Sequence, residues 1–242
     1  MTQAPDGDRR LEEERMIQPG DAILPGHPPT VSRYGPLVRA NHWFTALCLI
    51  TLAISGMALF TPSLYFLTGL FGGGQNTRAF HPWVGVALFF SFAALFVQLW
   101  RANLPNKTDV VWLSRFKDVL SGNEDALPEI GKYNAGQKFV FWGMSGLILV
   151  LIVTGIVIWQ EYFAVYTAIE AQRVAALAHA FAAVIIILIW IAHVYASIWI
   201  QGTMRAMTRG SVTAGWAYRH HRKWLKELVS LRRKGSRQNA AE

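Results

Sequence analysis

The chain has 242 residues, 52% of them hydrophobic and only 16% charged, against about 25% charged in a soluble domain. Its net charge of +8 carries no nucleic-acid reading, because the basic residues lie outside four apolar blocks and follow membrane topology. One cysteine, Cys48, with no C-x-x-C-H run, excludes a disulfide framework, iron–sulfur ligation by this chain alone and covalent haem attachment; Cys48 reads as a small buried hydrophobe.

Residues 1–30 are polar and rich in Pro, Gly and charge. They lack the apolar run of a signal peptide and read as a mobile tail on the side of synthesis. Apolar blocks follow at 43–60, 82–100, 139–159 and 174–200, none containing Asp, Glu, Lys or Arg. Each is long enough to cross a bilayer, and inside lipid such a block must be helical. Trp43, Trp100, Trp159 and Trp199 mark block ends, as interfacial aromatics do. Between the second and third blocks, residues 101–131 mix Val110, Val111, Trp112, Leu113, Phe116, Val119 and Leu120 with charges, a pattern for a short amphipathic surface helix. The expected organisation is a polar tail (1–30), a four-span domain (31–203) and a basic tail (204–242).

Of 23 Lys and Arg, only Arg78 and Arg173 fall in the loops after the first and third blocks. Basic loops stay in the cytoplasm, so both termini are expected there, in contact with anionic lipid headgroups.

Seven histidines occur, and His27, His220 and His221 lie in polar stretches that ask for no special role. His42 stands at the cytoplasmic entrance of the first span and His81 at the outer entrance of the second. His179 and His193 both lie in the fourth, 14 residues apart. That spacing is about 21 Å along a helix, and falls about 40° short of four full turns, so both rings project from nearly one face. Depth pairs His42 with His193 and His81 with His179. Two imidazoles per haem iron fill both axial positions, which suits electron transfer rather than oxygen binding. A metal or proton pathway, or packing alone, are the alternatives. Gly56 beside Ser55, with Gly85, Gly143, Gly146 and Gly155, would let a flat macrocycle approach, or would serve close helix packing.

Residues 132–138, Lys-Tyr-Asn-Ala-Gly-Gln-Lys, precede the third span. Asn134 and Gln137 suit a quinone carbonyl and Gly136 a close backbone approach. The competing reading is a helix start capped by Asn134.

Taken together, Arg39-Ala-Asn-His42-Trp43, Phe80-His81-Pro82, Gly122-Asn-Glu, the 132–138 run, Ala178-His179-Ala180, His193-Val-Tyr-Ala and the stretch from Trp216 to Trp224 resemble the gamma subunit, cytochrome b556, of membrane-bound formate dehydrogenases. The similarity covers about residues 31–230. It implies an all-α, four-helix diheme cytochrome b in the bacterial inner membrane. His81 and His179 would ligate an outer haem b and His42 and His193 an inner one. A membrane quinone would be reduced at Asn134, Gly136 and Gln137, beside His193. The implied partners are an iron–sulfur beta subunit and a molybdenum- or tungsten-containing alpha subunit that oxidises formate, with room for a higher oligomer of the complex. The cytochrome b subunit of a nickel–iron hydrogenase and a histidine-based metal or proton transporter are the rival readings.

Overall fold

A computed structural model describes residues 16–239; the first half of the expected N-terminal tail, with Arg9, Arg10 and Arg15, lies outside the described residues. In chain order the elements are strands β1 (Ala22–Leu24) and β2 (Thr30–Ser32), helix α1 (Pro36–Phe60), a 3-10 segment (Pro62–Phe71) and α2 (Gly74–Leu99). Then come the short α3 (Lys107–Ser114) and α4 (Phe116–Ser121), followed by α5 (Ala135–Ile158) and α6 (Ile169–Trp199). The chain closes with α7 (Met204–Arg209), β3 (Ser211–Thr213), α8 (Ala214–His220) and α9 (Arg222–Gln238). Among the described residues two compact units result, one of residues 16–39, 99–139 and 197–239, the other of Ala40–Gln98 and Val140–Ala196.

The second unit holds the bodies of the four long apolar helices α1, α2, α5 and α6. The shortest has 24 residues, about 36 Å of helix against a hydrocarbon core of about 30 Å. Each begins ahead of its apolar block. Pro36 opens α1, where a missing N–H is harmless. Pro82, the expected first residue of the second block, lies inside α2, as membrane helices tolerate. The unit's interior is the cluster Cys48, Leu49, Leu88, Ile148 and Ile186. Its outer surface is apolar too: Phe90, Val97, Leu149, Leu177, Phe181 and Leu188 are all exposed, which marks a protein whose solvent is lipid.

The first unit shows that the stretches expected to be tails are folded. Residues 22–32 and 211–213 form a three-stranded antiparallel sheet in the order β1-β2-β3, with Val31 opposite both Ile23 and Val212. Val31, Val212, Trp216, Trp224 and Leu228 build a core that Met16, Ile17 and Ile23 complete. Gly210 adopts φ +79, and a Cβ there would lie 2.6 Å from the Tyr34 carbonyl oxygen, so the turn into β3 requires glycine.

A polar network runs through this core. Lys132 Nζ donates to Asp21 Oδ1 at 2.6 Å and to the Arg33 carbonyl at 3.1 Å, and Trp224 Nε1 donates to Asp21 Oδ2 at 3.1 Å. The buried Arg33 guanidinium donates to the Lys132 carbonyl and lies 5.1–5.7 Å from the rings of Tyr34, Tyr133, Trp216 and Trp224. His221, which had no role in the sequence, is buried with Nδ1 2.7 Å from the Gly131 carbonyl. Burial holds it well below its ordinary range, with the Arg33 charge adding to the effect, so it is neutral and donates this bond.

Candidate functional site

The His81 and His179 rings meet inside the second unit with centroids 6.4 Å apart. A metal–imidazole bond is about 2.0–2.1 Å and a ring nitrogen lies about 1.1 Å from its centroid, so two imidazoles on opposite sides of one metal have centroids about 6.3 Å apart. Each ring is oriented by a hydroxyl on a neighbouring helix. Ser55 Oγ lies 2.7 Å from His81 Nδ1, and Thr154 Oγ1 lies 2.9 Å from His179 Nδ1. Both hydroxyls spend their own proton on a helical carbonyl one turn back, Ser55 on Thr51 at 2.8 Å and Thr154 on Val150 at 2.7 Å. They must therefore accept from the imidazoles. Nδ1 is the protonated nitrogen in each ring, and Nε2 keeps the lone pair that a metal needs.

Next to each hydroxyl stands a glycine. A Cβ on Gly56 would lie 3.3 Å from His81 Cε1, and one on Gly155 would lie 3.5 Å from His179 Cε1. A cavity of about 610 Å³ opens here, lined from all four helices by Gly56, His81, Leu88, Gly155, His179 and Ile186 among others. Its size and mostly apolar walls suit a flat hydrophobic cofactor.

The second pair, His42 and His193, has ring centroids 6.3 Å apart, and Trp43 meets His42 edge-on at 5.6 Å. His42 Nδ1 is buried without a hydrogen-bond partner among the described residues. Both histidine pairs thus fit a haem iron by spacing, and the outer pair fits by tautomer and by space as well. Among the described residues no group of three or more His, Cys, Asp or Glu is arranged for a metal ion. The sequence reading did not single out Ser55 and Thr154 as partners. Their signal is a repeated hydroxyl–glycine dipeptide, Ser55-Gly56 and Thr154-Gly155, in the helices that precede the two histidine-bearing ones.

In the first unit, the 132–138 run forms the start of α5. The Gln137 N–H donates to Asn134 Oδ1 at 2.8 Å and the Asn134 N–H to Gln137 Oε1 at 3.0 Å, a reciprocal capping box. The cap thus takes both amide oxygens. The two amide NH₂ groups have no partner among the described residues. Trp112 of α3 packs where a Cβ on Gly136 would come within 3.3 Å of it. A second capping box, Asn106 with Asp109, opens α3. Lys138 joins the two starts, with its Nζ 2.8 Å from Asp109 Oδ2 and both side chains largely buried. Lys132 and Tyr133 point the other way chemically, into the network around Arg33. Burial lowers Lys132 to about 8, with Asp21 pulling back upward, and raises Tyr133 well above its ordinary range.

Four membrane-length helices that bring histidines together in pairs define a class: multi-pass membrane proteins that clasp a cofactor within a helical bundle. The family model for prokaryotic cytochrome b561 matches residues 33–210, and the chain belongs to that family. It is therefore a b-type cytochrome of the membrane. Among its relatives, the nitrate-inducible formate dehydrogenase cytochrome b556(Fdn) subunit of Escherichia coli K12 is 40% identical over 190 residues, 78% of this chain and 88% of the relative. The formate dehydrogenase cytochrome b556(fdo) subunit of the same organism is 40% identical over 199 residues, 82% and 93% respectively. The formate dehydrogenase cytochrome b556 subunit of Haemophilus influenzae is 37% identical over 199 residues, 82% and 84%. The resemblance read from the motifs is the one that these comparisons return.

Proposed function

We propose that the chain is the diheme anchor subunit of a bacterial inner-membrane formate dehydrogenase. His81 and His179 hold an outer haem b, and His42 and His193 hold an inner one. The observation that carries this reading is the spacing of the two ring pairs, 6.4 and 6.3 Å, together with the hydroxyls that leave Nε2 unprotonated in the outer pair. When bound, the haems supply one-electron couples at two depths of the bundle, the means by which electrons from an iron–sulfur subunit reach a membrane quinone. The remaining partner is a molybdenum- or tungsten-containing subunit that oxidises formate; the relatives' names, formate dehydrogenase cytochrome b556 subunits, support a formate dehydrogenase complex.

The residues of the chain do the rest. Ser55 and Thr154 fix the ring orientations, and Gly56 and Gly155 keep the ring edges clear. Asn134 and Gln137 offer their free amide protons to the quinone carbonyl, with Gly136 and Trp112 as an apolar wall. The distribution of basic residues supports a position for this site on the cytoplasmic side. Reduction of the quinone takes two electrons and two protons, and protons are available at that interface.

A reduced-minus-oxidised spectrum and a haem assay on the purified protein test the reading. Two haem b per chain are expected. Colourless protein, as a histidine-based transporter would be, overturns it.

A further inference from the structure

The outer cavity carries polar groups that the haem ligands and their hydroxyl partners leave unused. Trp159 lines it and is 8% exposed. Its indole Nε1 is buried with no hydrogen-bond partner among the described residues. The ring is fixed by its neighbours: Trp83 and Tyr162 at 5.1 Å and Phe163 at 5.8 Å, all edge-on or steeply inclined. A buried indole donor with nothing to bond is costly to leave so, and calls for an acceptor. Arg78 lines the same cavity. It is one of only two basic residues, with Arg173, in the two loops expected on the outer face of the membrane.

Both groups stand at one level. Arg78 precedes His81 by three residues on α2, on the same helical face and about 4.5 Å further out along the axis. Trp159 follows Gly155 by four residues, one turn beyond the position that abuts the His179 ring. A cation and an unpaired N–H therefore sit one turn outward of the paired imidazoles. The exposed Glu161 also lines this mouth. The mouth is thus not a general anion trap, and selectivity falls to the buried indole donor working with the guanidinium.

The geometry points to a carboxylate-binding mouth in which Trp159 Nε1–H and the Arg78 guanidinium hold a propionate of the outer haem. This rests on the reading of His81 and His179 as its ligands. A haem carries two carboxylates on an apolar disc, and a carboxylate at the edge of an apolar cavity needs a counter-charge and a donor. Pairing it with Arg78 offsets its negative charge near the iron. Without that charge the oxidised iron is favoured, and the midpoint potential of the outer haem falls.

Redox titration of the detergent-purified holoprotein, followed on the b-type absorption bands, tests this. The outer wave is the one absent from His81→Ala. In Trp159→Phe and Arg78→Gln the outer wave is expected at lower potential with the inner wave unmoved, and Arg78→Lys is expected to restore it. Loss of the outer haem in Arg78→Gln with recovery in Arg78→Lys supports the same assignment, because packing faults do not depend on charge. Outer waves at the wild-type potential in both Trp159→Phe and Arg78→Gln overturn it, as does loss of the outer haem from Arg78→Lys and Arg78→Gln alike. Wild-type protein without an outer wave would instead overturn the haem reading itself, so the two failures are distinct.

Discussion

Replacing Ser55 with alanine isolates the part that a neighbouring helix plays in holding His81. Ser55 is fully buried and its Oγ lies 2.7 Å from His81 Nδ1. Alanine leaves that N–H without an acceptor and frees the ring to turn. Orphaning a buried donor costs about 1–3 kcal/mol. Loss of an outer partner of a metal-bound histidine weakens metal binding by about 10–100-fold, or about 1.4–2.7 kcal/mol at about 1.36 kcal/mol per decade, so the two estimates agree. Thr154→Val removes the equivalent acceptor at 2.9 Å from His179 while keeping the side-chain volume. Each variant is expected to lose its outer haem about 10–100-fold faster than wild type when a haem-scavenging apoprotein is added to the detergent-purified protein. The inner haem should be unaffected. Equal haem loss from wild type and both variants would refute the argument that these hydroxyls set the imidazole tautomers.

Three more outcomes are expected. Gln137→Glu keeps the capping oxygen of α5 but removes the amide donor, so haem content should stay normal while reoxidation by quinone slows about tenfold; stopped-flow reoxidation at the wild-type rate removes Gln137 from the site. Lys138→Met strands the buried Asp109 carboxylate, and should cost about 3–5 kcal/mol of stability in chemical denaturation, most of it recovered in the Asp109→Asn/Lys138→Met double variant. Lys132 titrates near 8 when folded but in the ordinary lysine range, about 10.5, when unfolded; between these the unfolded chain binds more protons, so stability rises with pH by up to about 3 kcal/mol. Thermal melts of the wild type against Lys132→Met across pH 8–10 would show that rise only in the wild type.

What the sequence discloses depends on how far apart the interacting residues are. The four spans are legible because lipid demands long uncharged helices, and the pairing of histidines by depth needs only the helical rise and the direction of travel. Helix starts are less legible. Polar residues such as Arg39 and Asn41 start α1 ahead of the apolar block, and Pro82 reads as a boundary although α2 runs through it. The first unit is illegible for a different reason. Asp21, Lys132 and Trp224 form one buried network, yet they are separated by 111 and 203 residues from Asp21. No local period reports such contacts, so polar stretches that fold together look like tails. The 132–138 run was open between a helix cap and a quinone site, and the structure shows the cap. Capping and quinone binding use different atoms of the same two amides, so the first does not displace the second.

The bond from Trp224 to Asp21 also sets an order on biogenesis. A residue close to the beginning of the chain waits for one that emerges only after all four membrane helices have been made. Until then Arg33 lacks the Trp216 and Trp224 rings and Lys132 lacks the Trp224 ring, part of the company that lets them be buried. Closure of the first unit therefore cannot finish before α9 is made, and a chain stalled before α9 would display an unfinished core to the proteases that survey nascent membrane proteins.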